Sequence, residues 1–276
     1  ESAIFGSTGA GSKVMVRLSR SGPMRQKSKF DDEPSDSKSG RYKPYLLPHR
    51  SNERERSQDW AVRPGTSVTL TMSTRPGVKL PQQAVDALSL WLLLGGVGKR
   101  SRRMFGGFSL RDSVDPALAG AALVPQWMRE VPTTTDSWVA AYKHELARIL
   151  NPSPISDPSF PVLHPDHCQI LVGGNHFESA VKANEHLFRE LLRKKYLNDE
   201  TMFGFAGGSG RRGSPVVAQA RIIGEEEVFG VFTIFRSPIR RPAGKPADWS
   251  IMNRFATDLQ DPVHYGAQYV FGGPFA

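Results

Sequence analysis

A single cysteine, Cys168, stands among 276 residues, so neither an internal disulfide nor a multi-cysteine zinc site can form, and a reducing cytoplasm fits. No apolar run approaches the roughly 20 residues of a membrane span. The run at 84–94 is too short and ends in glycine. No secretory signal peptide is visible. Acidic residues are in deficit, 27 Asp and Glu against 36 Lys and Arg, and the formal charge of +9 favours an anionic partner. Two phosphate-binding patterns are missing as well. A Walker A loop around Gly98-Lys99 needs glycine where Leu93 stands and Ser or Thr where Arg100 stands. The dinucleotide fingerprint begun by Gly96-Val97-Gly98 fails at Ser101, where its third glycine belongs. Both failures argue against a bound nucleotide.

What is present is concentrated at 81–110, PQQAVDALSLWLLLGGVGKRSRRMFGGFSL. Pro81 suits a first helical turn, where a missing N–H is harmless. Val85, Leu88 and Leu92, joined by Trp91, recur at helical spacing and predict one apolar face. Gly95 and Gly96 stop the helix, because glycine adopts the left-handed conformation a C-terminus wants. Lys99, Arg100, Arg102 and Arg103 then crowd into five positions around Ser101. Gly106 and Gly107 frame Phe105 and Phe108 ahead of a short strand ending at Leu110. Four cations this close repel one another, so they are kept most readily where something anionic neutralises them. The glycines let a backbone approach that partner with its N–H groups exposed. Nucleic-acid phosphates are the first candidate. The bland alternative pairs these cations with Glu1, Asp112 and Asp115 of the same chain.

The rest of the chain reads as a mixture of strands and helices. Residues 13–18 alternate Val14, Val16 and Leu18 against Lys13, Met15 and Arg17, as a half-buried strand does. Residues 21–59 turn polar and read as an insertion, in which Tyr42 and Tyr45, with Trp60 beyond it, lie among basic residues. Residues 68–72 predict a strand with Val68, Leu70 and Met72 inward. A boundary falls near Pro125. Ser137 can cap a helix carrying Trp138, Tyr142, Leu146 and Ile149. A strand at 169–172 precedes an amphipathic helix at 177–197, with Phe177, Val181, Leu187, Leu191 and Leu192 inward. A Gly/Arg segment containing Arg211 and Arg212 leads to a hairpin of 215–223 and 228–235. Asp248 can cap a last helix with Ile251, Met252, Phe255 and Leu259 inward, and 263–276 is not placed. Helix, Gly/Arg loop and strand thus occur twice, which suggests a tandem of 1–124 and 125–276.

Candidate chemistry is sparse. His164, His167 and Cys168 resemble a metal cluster, but structural zinc wants four ligands, so they read as loop or core positions. Asp31, Asp32 and Glu33 offer carboxylates to a divalent ion, with a solvated acidic loop as the plainer reading. His49 could act as a general base for RNA cleavage, although it has no visible partner. Ser101 and Ser214 lack a histidine at meaningful spacing. No catalytic residue, metal site or cofactor is assigned.

GGVGKRSRRMFGGF after a Leu/Trp-rich helix resembles the glycine-rich loop of the RAMP superfamily, the RNA-binding subunits of CRISPR effector complexes. The N-terminal IFGS…GSKVMVRL, and GRRGSPVVAQARI followed by VFGVFTIF, are similar to the first-subunit family of the Cmr (type III-B) RAMP module. Met104 stands where that loop usually has glycine. The resemblance implies an α+β fold of tandem ferredoxin-like (RRM-like) domains with antiparallel sheets. The first domain is expected to be N-terminally trimmed, since Glu1 is not an initiator methionine and the family begins with a further strand and helix. Gly95, Gly96, Gly98, Lys99, Arg100, Ser101, Arg102, Arg103, Arg211 and Arg212 would then contact guide RNA near its 3′ end. The implied partners are guide and target RNA and other Cmr/RAMP subunits, in a cytoplasmic antiviral ribonucleoprotein without membrane or nucleotide. A RAMP endoribonuclease using His49, Asp31 or Asp32 is the alternative.

Overall fold

A computed structural model describes residues 12–20, 25–27, 60–62, 67–97, 104, 106–107, 109–110, 123–150, 153–155, 158, 160–196, 202–203, 205–207, 210–212, 214–223, 227–236 and 248–275. The chain divides into two compact units, Glu1–Ala87 and Leu88–Ala276.

In the first unit, β1 (Val14–Arg20) is followed by β2 (Arg25–Lys27), β3 (Trp60–Val62) and β4 (Val68–Thr74). β1 and β4 pair antiparallel from Val14↔Thr74 to Arg20↔Val68, and β2 pairs β3 separately. The expected inward face is realised only in part. Val14 is buried and Leu70 and Met72 are half-buried, while Val16, Leu18 and Val68 are exposed at 54%, 69% and 46%. A two-stranded ribbon supplies no second layer of its own, so alternation alone cannot bury one of its faces.

Helix α1 (Gln82–Leu94) follows Pro81, whose carbonyl accepts from the amide of Ala84. Its buried stripe is Ala84, Val85, Ser89 and Leu93, with Leu88 and Leu92 only half-buried and Trp91 exposed. The apolar pattern overlooked Ser89 because it is polar. It is buried because its hydroxyl donates to Glu145 Oε1 (2.7 Å) and accepts from Trp127 Nε1 (3.1 Å).

In the second unit, α2 (Gln126–Arg129) and α3 (Thr135–Ile149) precede β5 (Cys168–Val172). Next come α4 (Ala180–Glu185), which continues as a π-helix over His186–Arg193, and β6 (Phe205–Gly207) with β7 (Gly210–Arg212). β8 (Val216–Ile223), β9 (Glu227–Phe235), α5 (Ser250–Gln260) and β10 (Gln268–Phe271) complete the order. Several boundaries differ from expectation for local reasons. Thr134, three residues before the expected cap Ser137, is the cap of α3, and Ser137 completes a reciprocal capping box with it. Phe177 lies outside α4, in a two-way bridge with Val228, because Ser179 takes the cap and accepts from Lys182 N.

The strands stand in the order β10-β5-β9-β8, every pair antiparallel. β10 comes from the tail that sequence reading left unplaced. Alternation along the strands sends Leu171, Ala218, Ala220 and Phe232 to one face, where Leu187, Leu191, Met252, Phe255 and Leu259 cover them. Ile170, Val172, Phe229 and Val231 face the other side, against Trp127, Trp138, Tyr142 and Leu146. The molecule is therefore a mixed helix and sheet protein with antiparallel sheets, and this sheet is a middle layer. A fully buried Leu or Phe contributes roughly 1.5–3 kcal/mol, so the two covered faces are the main source of this unit's stability.

Candidate nucleic-acid interface

The glycine segment begins where α1 ends, and its first residues are already committed to the protein. Gly95 N donates to Trp91 O at 2.8 Å, so that amide is not available to an anion as the sequence reading had it. One guanidinium nitrogen of Arg221, Nη2, donates to Leu93 O (2.9 Å) and Gly95 O (3.0 Å). Tyr142 OH adds a third donor, 2.6 Å from Leu93 O. Arg221 is only 3% exposed, and a cation here meets the negative end of the helix dipole as well as its open carbonyls. Burial pushes the Tyr142 hydroxyl above its ordinary pKa against the opposing pull of Arg221, so it remains a donor.

Beyond this point the segment closes on itself. Val97 N donates to Gly106 O at 2.9 Å. Gly106 has φ +68°, where a side chain would run into the Val97 carbonyl, so only glycine fits. A Cβ on Gly96 would lie 2.7 Å from Gln219 Oε1, which makes Gly96 a packing position.

The return half lies against β8. Met104 N donates to Ala218 O (2.8 Å), Gly107 lies against Ala220 O, and Ser109 Oγ accepts from Ile222 N (3.2 Å). Contacts at 218, 220 and 222 increase in the order Met104, Gly107, Ser109, so these three residues follow β8 in the parallel sense. They use every second residue, the one whose backbone points away from β9. No described residue of this stretch is in a regular strand, contrary to expectation, because Met104 (φ +66°) and Gly106 both leave extended geometry. The segment instead covers an edge strand whose backbone would otherwise be open.

Gly98, Lys99, Arg100, Ser101, Arg102 and Arg103 lie outside the described residues, as do Asp31, Asp32, Glu33, Tyr42, Tyr45, His49, Glu1, Asp112 and Asp115. Both stems of the cationic loop are nonetheless placed, at Val97 and at Met104. Arg211 and Arg212 belong to β7, which pairs with β6 from Phe205↔Arg212 to Gly207↔Gly210. From Arg212 to Ala218 is six residues, about 20 Å of extended chain at most.

The histidine and cysteine cluster is structural. His164 is buried, with Nε2 3.0 Å from Ser153 O and Nδ1 accepting from Asp166 N, and Cys168 is a core residue whose thiol burial pushes well up. Among the described residues no three His, Cys, Asp or Glu side chains form a group that could hold a metal. Sequence reading missed a chain from Thr135 Oγ1 to His176 Nε2 and from His176 Nδ1 to Glu227 Oε2 (2.9 Å). These residues are 41 and 51 positions apart, and no short spacing announces them. The chain ties the first turn of α3 to the start of β9. An exposed groove between α5 and the end of the π-helix holds Lys195 and Tyr196, but both donate to Asp258 (2.7 and 2.6 Å). Its one acid already holds its own cation. No helix among the described residues is long and apolar enough to cross a membrane.

No family model matches the sequence, and no curated protein does. Among solved structures, the fold is similar to the apo crystal structure of Cmr1 from Pyrococcus furiosus, with a TM-score of 0.59 and 21% identity over 98% of this chain and 81% of that one. It is also similar to a chain of the type III-B Cmr-beta complex bound to cognate target RNA, seen by cryo-EM. There the TM-score is 0.51 and the identity 11%, over 84% of this chain and 79% of that one. At these identities the likeness is one of fold.

Proposed function

We propose that this chain, folded like Cmr1 of Pyrococcus furiosus, is a non-catalytic RNA-binding subunit of a cytoplasmic type III-B CRISPR effector, holding guide RNA near its 3′ end for antiviral defence. In this reading it comprises tandem ferredoxin-like RAMP domains, 1–124 and 125–276. Apart from the separate β6–β7 pair, the element order β5-α4-β8-β9-α5-β10 with strand order β10-β5-β9-β8 supports such a plan in the second. Its partners are guide and target RNA and the neighbouring Cmr/RAMP subunits.

The observation that carries the proposal is the anchoring of the cationic loop. Lys99, Arg100, Arg102 and Arg103 lie between Val97, tied to Gly106, and Met104, tied to Ala218. Arg211 and Arg212 lead into the same strand, β8. Like charges gathered between two tied ends, Val97 and Met104, and in a segment that leads into β8 suit a single extended polyanion. Because both faces of the four-stranded sheet are covered, RNA has to meet this unit at its loops and edges. Phosphate contacts position a strand without reading its sequence, so binding should be sequence-tolerant and sensitive to salt. With about five phosphates neutralised, log K falls against log salt with a slope of about −3.5 for a single strand.

The test titrates labelled single-stranded guide RNA at two salt concentrations, wild type against Arg102→Ala/Arg103→Ala. The double variant should bind more weakly and with a shallower slope. Equal affinity and slope would remove the RNA-binding role, and cuts in the RNA would replace it with the endoribonuclease reading.

A further inference from the structure

Two histidines that the nucleic-acid interface does not use face each other in the second unit. His186 is the first residue of the π-helix, and His264 lies in the turn between α5 and β10. His186 Nε2 and His264 Nδ1 stand 3.2 Å apart, although 78 positions separate the residues. Both rings are held in place. The His186 ring lies against Phe177 and Tyr265, with centroids 5.6 and 5.4 Å away. The amide of His264 donates to Asp261 O (2.9 Å), and its carbonyl accepts from Asn175 Nδ2 (2.9 Å). The next residue, Tyr265, donates its hydroxyl to Ala183 O in α4. Val263, on the other side of His264, is 77% exposed, so the turn lies at the surface, within reach of an ion in solution.

A separation of 3.2 Å suits a hydrogen bond between neutral imidazoles. It also matches the spacing of two ligand nitrogens on a tetrahedral zinc ion, about 3.3 Å for Zn–N bonds of 2.0–2.1 Å. Three features favour a ligand pair. Imidazole binds a metal as the neutral base, and burial holds the His186 pKa below its ordinary value, with His264 and Lys194 adding to the lowering and Glu190 opposing it. Glu190 follows His186 by one helical turn, and Asp258 interacts with the charge of His264, so two carboxylates offset part of a dication's charge. Finally, π-helical turns are rare and recur at functional sites, and one begins at His186.

We infer that His186 Nε2 and His264 Nδ1 are the two protein ligands of a site for a divalent transition-metal ion of the zinc class. The inference does not depend on RNA binding. In the neutral pair one hydrogen lies between the rings. Binding moves it to the far nitrogen of the ring that carries it, so both lone pairs face the ion and no net proton is released. Among the described residues no three His, Cys, Asp or Glu side chains form a metal-holding group, so water completes the shell. The site is therefore open and exchangeable, unlike a four-ligand structural zinc. Its ion joins the π-helical continuation of α4 to the turn after α5. Imidazole suits zinc, copper and nickel, whereas magnesium prefers oxygen ligands and is rejected.

The experiment uses the full chain, stripped with EDTA and then freed of chelator, with zinc or magnesium chloride alone as the probe. Zinc at about five times its Kd should raise the melting midpoint by roughly 2–4 °C, and magnesium should not. His186→Gln and His264→Gln, which keep a polar side chain, should each abolish the rise. A second measurement needs no variant. Diethyl pyrocarbonate acylates free imidazoles, and peptide mass mapping should find His186 and His264 modified about 6-fold more slowly in zinc at that concentration. The exposed His144 should react at the same rate with and without the ion. If both variants keep the zinc-dependent rise, or zinc protects other histidines instead, the ion binds elsewhere and the inference falls. If wild type shows neither shift nor protection, the rings are a hydrogen-bonded pair only and the inference falls. An equal rise with magnesium would make the effect one of general charge screening and overturn it too. Should the variants unfold, the mapping of wild type decides alone.

Discussion

The amide of Met104 donates to the carbonyl of Ala218 at 2.8 Å from a left-handed backbone, φ +66°, with its side chain wholly buried in the core. Left-handed geometry costs a residue with a Cβ about 1–2 kcal/mol, and glycine is free of that cost. The superfamily loop that this segment resembles usually has glycine here. Methionine offsets the strain by filling space among Leu187, Met202 and Val216, in the same core cluster.

This balance reverses an ordinary order of substitutions. Met104→Ala should lower stability by roughly 2–4 kcal/mol, the usual loss for a buried methionine. Met104→Gly removes the same side chain and also the strain, so it should be about 1 kcal/mol more stable than Met104→Ala. Urea midpoints of the two variants measure the difference. A lower midpoint for glycine than for alanine would show that the backbone here is unstrained.

Arg221 should matter more to α1 than its place on an edge strand suggests. It supplies two donors to the last carbonyls of the helix, at Leu93 and Gly95. Arg221→Met keeps much of the apolar stem and removes both, and should lower stability by roughly 2–4 kcal/mol. Tyr142→Phe removes one of the donors to Leu93 O and should lower it by about 1 kcal/mol, because Arg221 still satisfies that oxygen. Thermal unfolding of both variants orders the effects, and equal small losses would deny Arg221 this role.

How much of this could be read beforehand depends on the kind of signal. The β8–β9 hairpin and the faces of α3 and α5 were legible because their apolar residues recur at strand and helix periods. Trp91 is expected on the buried side of α1 and Ser89 is passed over, because periodicity ranks residues by polarity. A serine that finds Glu145 is buried, and a tryptophan whose ring lies against Gly95 stays partly exposed. The cations at 99–103 were visible as a cluster. Their anchoring was not, since it joins Met104 to a strand more than a hundred residues later. β10 was hidden by a glycine-rich tail, and the π-helical turn at His186 has no pattern of its own.

Ser89 provides a test of the buried polar contact that periodicity overlooked. Ser89→Ala strands the indole N–H of Trp127 and removes one donor to Glu145, whose carboxylate keeps Arg148 at 3.0 and 2.7 Å. The loss should be roughly 1–3 kcal/mol, well above the effect of a typical exposed serine. Chemical denaturation of this variant beside the exposed Ser250→Ala checks it, and equal midpoints would contradict it.

The His186 and His264 rings, with Nε2 and Nδ1 3.2 Å apart, make stability depend on pH near neutrality. Burial holds the His186 pKa below its ordinary value. The charge of His264 acts the same way, Glu190 opposes it and Lys194 adds to the lowering. The unfolded chain, with an imidazole pKa of about 6.5, therefore binds a proton more readily than the folded one. His186 favours folding fully above that value, and its contribution is lost as the pH falls through the folded pKa. Stability should thus decline from pH 7 toward pH 5, and His186→Gln should flatten that decline while leaving the acid limb below pH 4 in place. Denaturant midpoints at half-unit intervals from pH 4 to pH 8 decide it. Parallel curves for wild type and His186→Gln would assign the slope to other groups.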